Sequence, residues 1–207
     1  MDIEQARQIL AATGRELYAR GWAPATSGNF SLRLDDGSIA ITSSGRDKGR
    51  LVPADIMRVS ADGHALEDMR PSAETELHLQ LYRRDDAVRA VLHTHSVAAT
   101  VVSMREPGGL RFRGLEILKA FPGIATHEAT LEIPVFPNSQ DMEALACDVE
   151  MRMRRAGQGW AYLIAGHGLY TWGSSIESCM RHLEALEYLF EYHRLQNESG
   201  TEGSTAR

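Results

Sequence analysis

The 207-residue sequence predicts an α/β domain with a central, mostly antiparallel β-sheet flanked by α-helices. Three observations predict it. Two alternating apolar segments around "DDG" read as an early β-hairpin, which sets antiparallel neighbours. Helically spaced stretches then alternate with short apolar runs along the rest of the chain. The regular βαβ rhythm and G-x-G-x-x-G loop of a dinucleotide-binding fold are absent.

Ile3, Ala6, Leu10 and Leu17 mark one face of a helix ending near Gly21. "NFSLRL" and "SIAITS" supply the hairpin, and "DIMRVSADG" a further strand running into a turn. "PSAETELHLQLYRR" reads as a helix with Pro71 and Ser72 as its start signal. "VRAVLHTHS" is a buried strand, and "VAATVVSM" a short helix despite its β-branched residues. "LEIPVFP" reads as one strand, "SQDMEALACDVEMRMRRAG" as a helix ending at Gly157, and "WAYLIAGHGLYTWG" as one or two strands. A capping box from Ser174 to Glu177 opens the last helix, which continues through Met180, Leu183, Leu186 and Phe190. One domain over 1–196 is expected. The polar, Gly/Ser-rich stretch "NESGTEGSTAR" at 197–207 is expected to be a disordered tail.

Composition narrows the function classes. With 22 basic against 28 acidic residues the net charge is −6, against the basic stripe of a nucleic-acid surface. No apolar run approaches the roughly 20 residues that span a bilayer. The opening "MDIEQARQIL" lacks a signal core, and two cysteines, Cys147 and Cys179, suit a reducing cytoplasm. No nucleic-acid or membrane partner is expected.

The chemistry concentrates in "VLHTHS". In a strand, residues i and i+2 share a face, so His93 and His95 project together while Thr94 turns away. Two imidazoles on one face suit a divalent cation, which accepts neutral ring nitrogens at about 2.0–2.1 Å. His167 in "LIAGHGLYTW" follows another apolar strand between two glycines that permit a sharp turn and close approach, and is chosen as third ligand. His64 and His127 lie in turns or loops, and His78, His182 and His193 in helical patterns that read as surface or packing positions.

"TSGNFSLR", "ITSSGRDKGRLVPADIMRV", "PSAETELH", "VLHTHS" and "GHGLYTWG" occur in an order and spacing that resembles the class II aldolase/adducin family, over roughly residues 3–195. "LEILKA" and "GHGLYTWG" resemble its dehydratase branch. The resemblance implies zinc (Zn2+) on His93, His95 and His167, a sugar-phosphate substrate, and a homotetramer with the active site near a subunit interface. It further implies dehydration of 5-methylthioribulose 1-phosphate, with Glu116 as general acid/base. A sugar-phosphate aldolase is the alternative, and Glu74 is the rival carboxylate. The aldolase pattern has two serines before that glutamate; here the second is Ala73.

Phosphate binding falls, by the same resemblance, to Gly28, Asn29, Ser44, Gly45 and Ser72. Exposed glycine amides, hydroxyls and an asparagine amide are suitable donors for an anion. Lys48 lies close in sequence and is left out of that set. Phe112, Phe121, Phe136, Tyr170 and Trp172 could touch an apolar substrate group, but read more strongly as core.

Overall fold

In a computed structural model, residues 1–156 and 159–201 are described. Helix α1 (Ile3–Ala19) starts at a capping box between Asp2 and Gln5. The hairpin strands are β1 (Asn29–Arg33) and β2 (Ile39–Thr42), followed by β3 (Ile56–Val59). Then come α2 (Thr75–Arg84), β4 (Ala90–Thr94), α3 (Val97–Arg105), β5 (Leu110–Phe112), β6 (Leu131–Ile133) and β7 (Val135–Phe136). Helix α4 (Met142–Ala156), β8 (Ala161–Ile164), β9 (Gly168–Gly173) and α5 (Ile176–Thr201) complete the chain.

The main sheet has the order β3-β2-β1-β4-β9-β8-β7. Every neighbouring pair in it is antiparallel except β7–β8. Period-two alternation separates two apolar layers. Phe30, Leu32, Ala90 and Leu92 face α1, α3 and α5, while Ile41, Val91, Tyr162 and Tyr170 face α2 and α4. The five aromatic residues considered for substrate contact are all buried core.

Three expectations shift. "LEIPVFP" is two strands: Pro134, which has no N–H to give a ladder, divides β6, paired with β5, from β7, paired with β8. Helix α2 begins at Thr75, later than Pro71 and Ser72 suggested. Ser72 instead makes a turn ahead of it, accepting from the Glu74 N–H at 3.3 Å and the Thr75 N–H at 3.1 Å. Residues 197–201 of the expected tail continue α5, and 202–207 lie outside the described residues. The expected helix stop at Gly157 also lies outside them.

Candidate active site

The site grows from one row of side chains across the sheet. Register pairs Asn29 with His93, His93 with Tyr170, and Tyr170 with Tyr162. All four therefore point toward α2 from four adjacent strands. The rings of His93 and Tyr170 stack, and the His93 Nδ1–H donates to the Leu169 carbonyl at 2.9 Å. That bond leaves Nε2 as the ring's lone-pair nitrogen.

His95 falls one residue beyond β4, anchored by its backbone N–H to the Trp22 carbonyl at 2.7 Å. His167 occupies the β8–β9 turn, where Gly166 has φ +65° and the His167 N–H bonds the Ile164 carbonyl. Gly168 is required for a different reason. A Cβ there would lie 2.1 Å from the Thr94 carbonyl oxygen and 3.1 Å from His93 Cε1. The His167 Nδ1–H points at Asn138 Oδ1, 3.4 Å away, which again leaves Nε2 for a ligand.

The three Nε2 atoms converge. His95 and His93 are 2.7 Å apart there, and His93 and His167 3.3 Å. Glu74 brings a carboxylate oxygen 2.7 Å from His167 Nε2 and 3.7 Å from His93 Nε2. All four donor atoms lie within 4.8 Å of one another. Lone pairs and a carboxylate packed so closely repel unless a cation sits among them, and imidazole with one carboxylate suits a first-row divalent metal. The donor set thus fits a metal ion, with Glu74 as a fourth donor.

Electrostatics agree with that arrangement. Burial pushes the His95 ring down to about 3, so it is a neutral imidazole at neutral pH, with one ring nitrogen carrying a lone pair. For Glu74, burial works to raise the carboxyl, but its contacts with His167 and His93 prevail and hold it well below the usual carboxylate range.

A cleft of about 400 Å³ opens beside this cluster. Gly28, Asn29, Ser44, Gly45 and Ser72 all line it, together with Glu74, His95 and His167. Lys48 lines it too, although the sequence reading left it out. Its side chain is 2 % exposed, and Nζ donates to the carbonyls of Thr26 at 3.0 Å and Arg46 at 2.8 Å. Burial lowers its pKa to about 8 against the opposing charges of Glu74, Asp47 and Asp55.

The model of the class II aldolase and adducin N-terminal domain matches residues 8–193. The chain belongs to the class II aldolase and adducin family. It is 53 % identical over 182 residues to a methylthioribulose-1-phosphate dehydratase of Methylococcus capsulatus, covering 88 % of this chain and 89 % of that one. It is 52 % identical over 185 residues to a methylthioribulose-1-phosphate dehydratase of Alcanivorax borkumensis, covering 89 % and 88 %. Among solved structures, an L-fuculose-1-phosphate aldolase from Thermus thermophilus superposes with TM-score 0.69 at 31 % identity, covering 93 % of this chain and 98 % of that one.

In this class II aldolase family member, the partners of two expected site residues, Asn29 and Glu116, come from within the chain. The Asn29 side chain is already committed at both ends. Its amide Nδ2 donates to Glu74 and, at 3.4 Å, to Ser72 Oγ, while its Oδ1 accepts from His78. Glu116 lies outside the metal cluster and outside the cleft lining, in a short 3₁₀ turn, Glu116–Ala120. Its side chain is 70 % exposed and paired with Lys119 and, at 3.2 Å, with His127. His78, set aside as a surface or packing position, is fully buried beside the site. A polar residue every fourth position on an otherwise apolar helix face (Glu74, His78, Tyr82) was the available signal.

Proposed function

We propose that this chain is a zinc-dependent methylthioribulose-1-phosphate dehydratase, working as a cytoplasmic homotetramer. The observation that carries the reading is the convergence of three histidine nitrogens and a glutamate oxygen beside a cleft that holds five expected phosphate contacts. Relatives named for that activity, 52–53 % identical over most of this chain, support it.

Zinc, when bound, would act as a Lewis acid on the sugar's carbonyl and make the adjacent C3 proton removable. The chain's own residues supply the rest. Backbone amides at Gly28 and Gly45, hydroxyls of Ser44 and Ser72 and the charge of Lys48 seat the 1-phosphate. Glu116 takes the C3 proton and returns a proton to the C4 hydroxyl as it leaves as water, and the resulting enol becomes the 2,3-diketone. Hydrogen bonding from Lys119, aided by its charge and His127, holds the Glu116 carboxyl below the ordinary carboxylate range, so it is ionised at neutral pH. Because Glu116 is exposed and outside its own cleft, it would serve the cleft of a neighbouring subunit. The tetramer would therefore be required for activity.

An aldolase acting on a fuculose-type sugar phosphate is the second reading, favoured by the placement of Glu74 against the histidines. The missing hydroxyl at Ala73 counts against it. Incubation with 5-methylthioribulose 1-phosphate, followed by mass spectrometry, separates the two. Loss of one water, abolished by chelation and by Glu116→Gln, is the expected result. An intact substrate, with fuculose 1-phosphate cleaved to dihydroxyacetone phosphate, would replace the dehydratase with the aldolase.

A further inference from the structure

Helix α2 and strand β1 meet through a line of polar groups in an otherwise apolar layer. Glu74, His78 and Tyr82 recur every four residues on the helix side, about 6 Å apart along its axis. Asn29 and Ser31 recur every two residues on the strand, about 6.6 Å apart. The two spacings match closely enough for each helix residue to meet a strand residue. Arg33 extends the series, its guanidinium lying over the Tyr82 ring and donating to the Tyr82 carbonyl.

The bonds have only one consistent direction. Glu74 as carboxylate accepts only, so the Asn29 group facing it is the NH₂. Asn29 Oδ1 then faces His78 and needs a donor, which makes His78 Nε2 the protonated nitrogen. His78 Nδ1 is left as an acceptor and takes the Ser31 hydroxyl proton at 2.7 Å. Ser31 Oγ in turn accepts from the Tyr82 hydroxyl at 2.8 Å. Every donor points along the chain toward Glu74. Tyr82, Ser31, His78 and Asn29 are all at most 3 % exposed, so water does not compete for these bonds.

We infer that His78 is a positioning residue, which fixes the Asn29 amide and through it the orientation of Glu74 at the metal centre. A rotated Asn29 amide would set its carbonyl against a carboxylate, and the His78 donor to Oδ1 holds the amide the other way round. The inference rests on the reading of the His93–His95–His167–Glu74 cluster as a metal site.

Zinc titration of the metal-free protein against a chromophoric chelator tests this without turnover. His78→Phe keeps a ring edge against Tyr170 but removes both bonds. Its zinc affinity is expected to fall about tenfold, as for other groups that orient metal ligands. In steady state, kcat should fall in step while KM stays within about twofold, because the groups that seat the phosphate at Gly28, Ser44, Gly45 and Lys48 do not touch His78. His78→Gln, which can donate to Asn29 and accept from Ser31, should restore most of both. Ser31→Ala, which leaves the His78 donor in place, should bind zinc as the wild type does. Nitrogen NMR of the wild-type protein gives a second readout that needs no variant, with His78 expected as the Nε2–H tautomer. An Nδ1–H tautomer, or a folded His78→Phe with wild-type zinc affinity, would overturn the inference. Failure of the wild type to dehydrate its substrate would remove the proposed activity alone, and the zinc series would still decide the role of His78.

Discussion

Tyr170 lies flat against His93, with ring centroids 4.0 Å apart and planes 14° from parallel. The two residues are direct partners across β4 and β9, so sheet register holds the His93 imidazole against an aromatic wall. The Tyr170 hydroxyl is fully buried and has no hydrogen-bond partner among the described residues. Tyr170→Phe should therefore preserve the site and leave stability unchanged, or raise it by up to about 1 kcal/mol. Tyr170→Ala should cost about 3–5 kcal/mol and weaken metal binding as His93 loses its wall. Urea unfolding with zinc titration checks both.

Gly168 has no spare room. The Thr94 carbonyl would lie 2.1 Å from an added Cβ, too close for any real contact. Gly168→Ala should force β9 from β4 beside His93, costing about 3 kcal/mol and a large part of the metal affinity. Gly108, where an added Cβ meets nothing within 4 Å, provides the comparison. Gly108→Ala should stay within about 0.5 kcal/mol of wild type.

Glu187 on α5 is 5 % exposed, and burial pushes its carboxyl up to about 7, opposed by a Ser96 hydrogen bond and reinforced by the Glu191 charge. The sign follows from linkage. Between about pH 4.5 and 7 the unfolded chain has released this proton and the folded chain still holds it, so stability falls as pH rises through that window. Glu187→Gln removes the penalty. It should be more stable than wild type at pH 8, by at most about 3 kcal/mol at 1.36 kcal/mol per pKa unit, and the gain should vanish near pH 4.5. Thermal melts across that range check the slope.

Lys48 has three ammonium protons, of which the Thr26 and Arg46 carbonyls take two. The third is available to an anion in the cleft. Lys48→Met should raise KM by about tenfold, the worth of one charged hydrogen bond. It should weaken inhibition by inorganic phosphate in step and leave metal content unchanged. Steady-state kinetics with metal analysis separates this from a loss of the site itself.

Much of this was legible in short segments. The hairpin around "DDG", the helices with apolar faces, and His93, His95 and His167 each carry a local signature: alternation, helical spacing, or a glycine-flanked histidine after an apolar strand. Even so, the shared-face argument for His93 and His95 was only half of the story, since His95 lies past the end of β4 and reaches the cluster through its tie to Trp22. Pro134 carried its own warning of a broken strand. Ser72 resembled a helix start because cap and turn use the same side-chain bonds.

The placements that define the site come from contacts between segments far apart in the chain. Asn29 and His78 are 49 residues apart, and nothing near either one says that the amide oxygen meets a buried ring. Glu74 read as a first-turn helix acid or an aldolase base, and joins the histidine cluster because α2 lies over the row Asn29–His93–Tyr170. Glu116 carries a family signature in its neighbours, yet its own environment is an exposed turn with Lys119 and His127. Local pattern was enough for the elements and for the histidines, since hydrophobic period and turn chemistry act within a few residues. Strand register and helix-over-sheet alignment settled which polar atoms meet, because a shift of one residue would turn each side chain of that strand to the opposite layer.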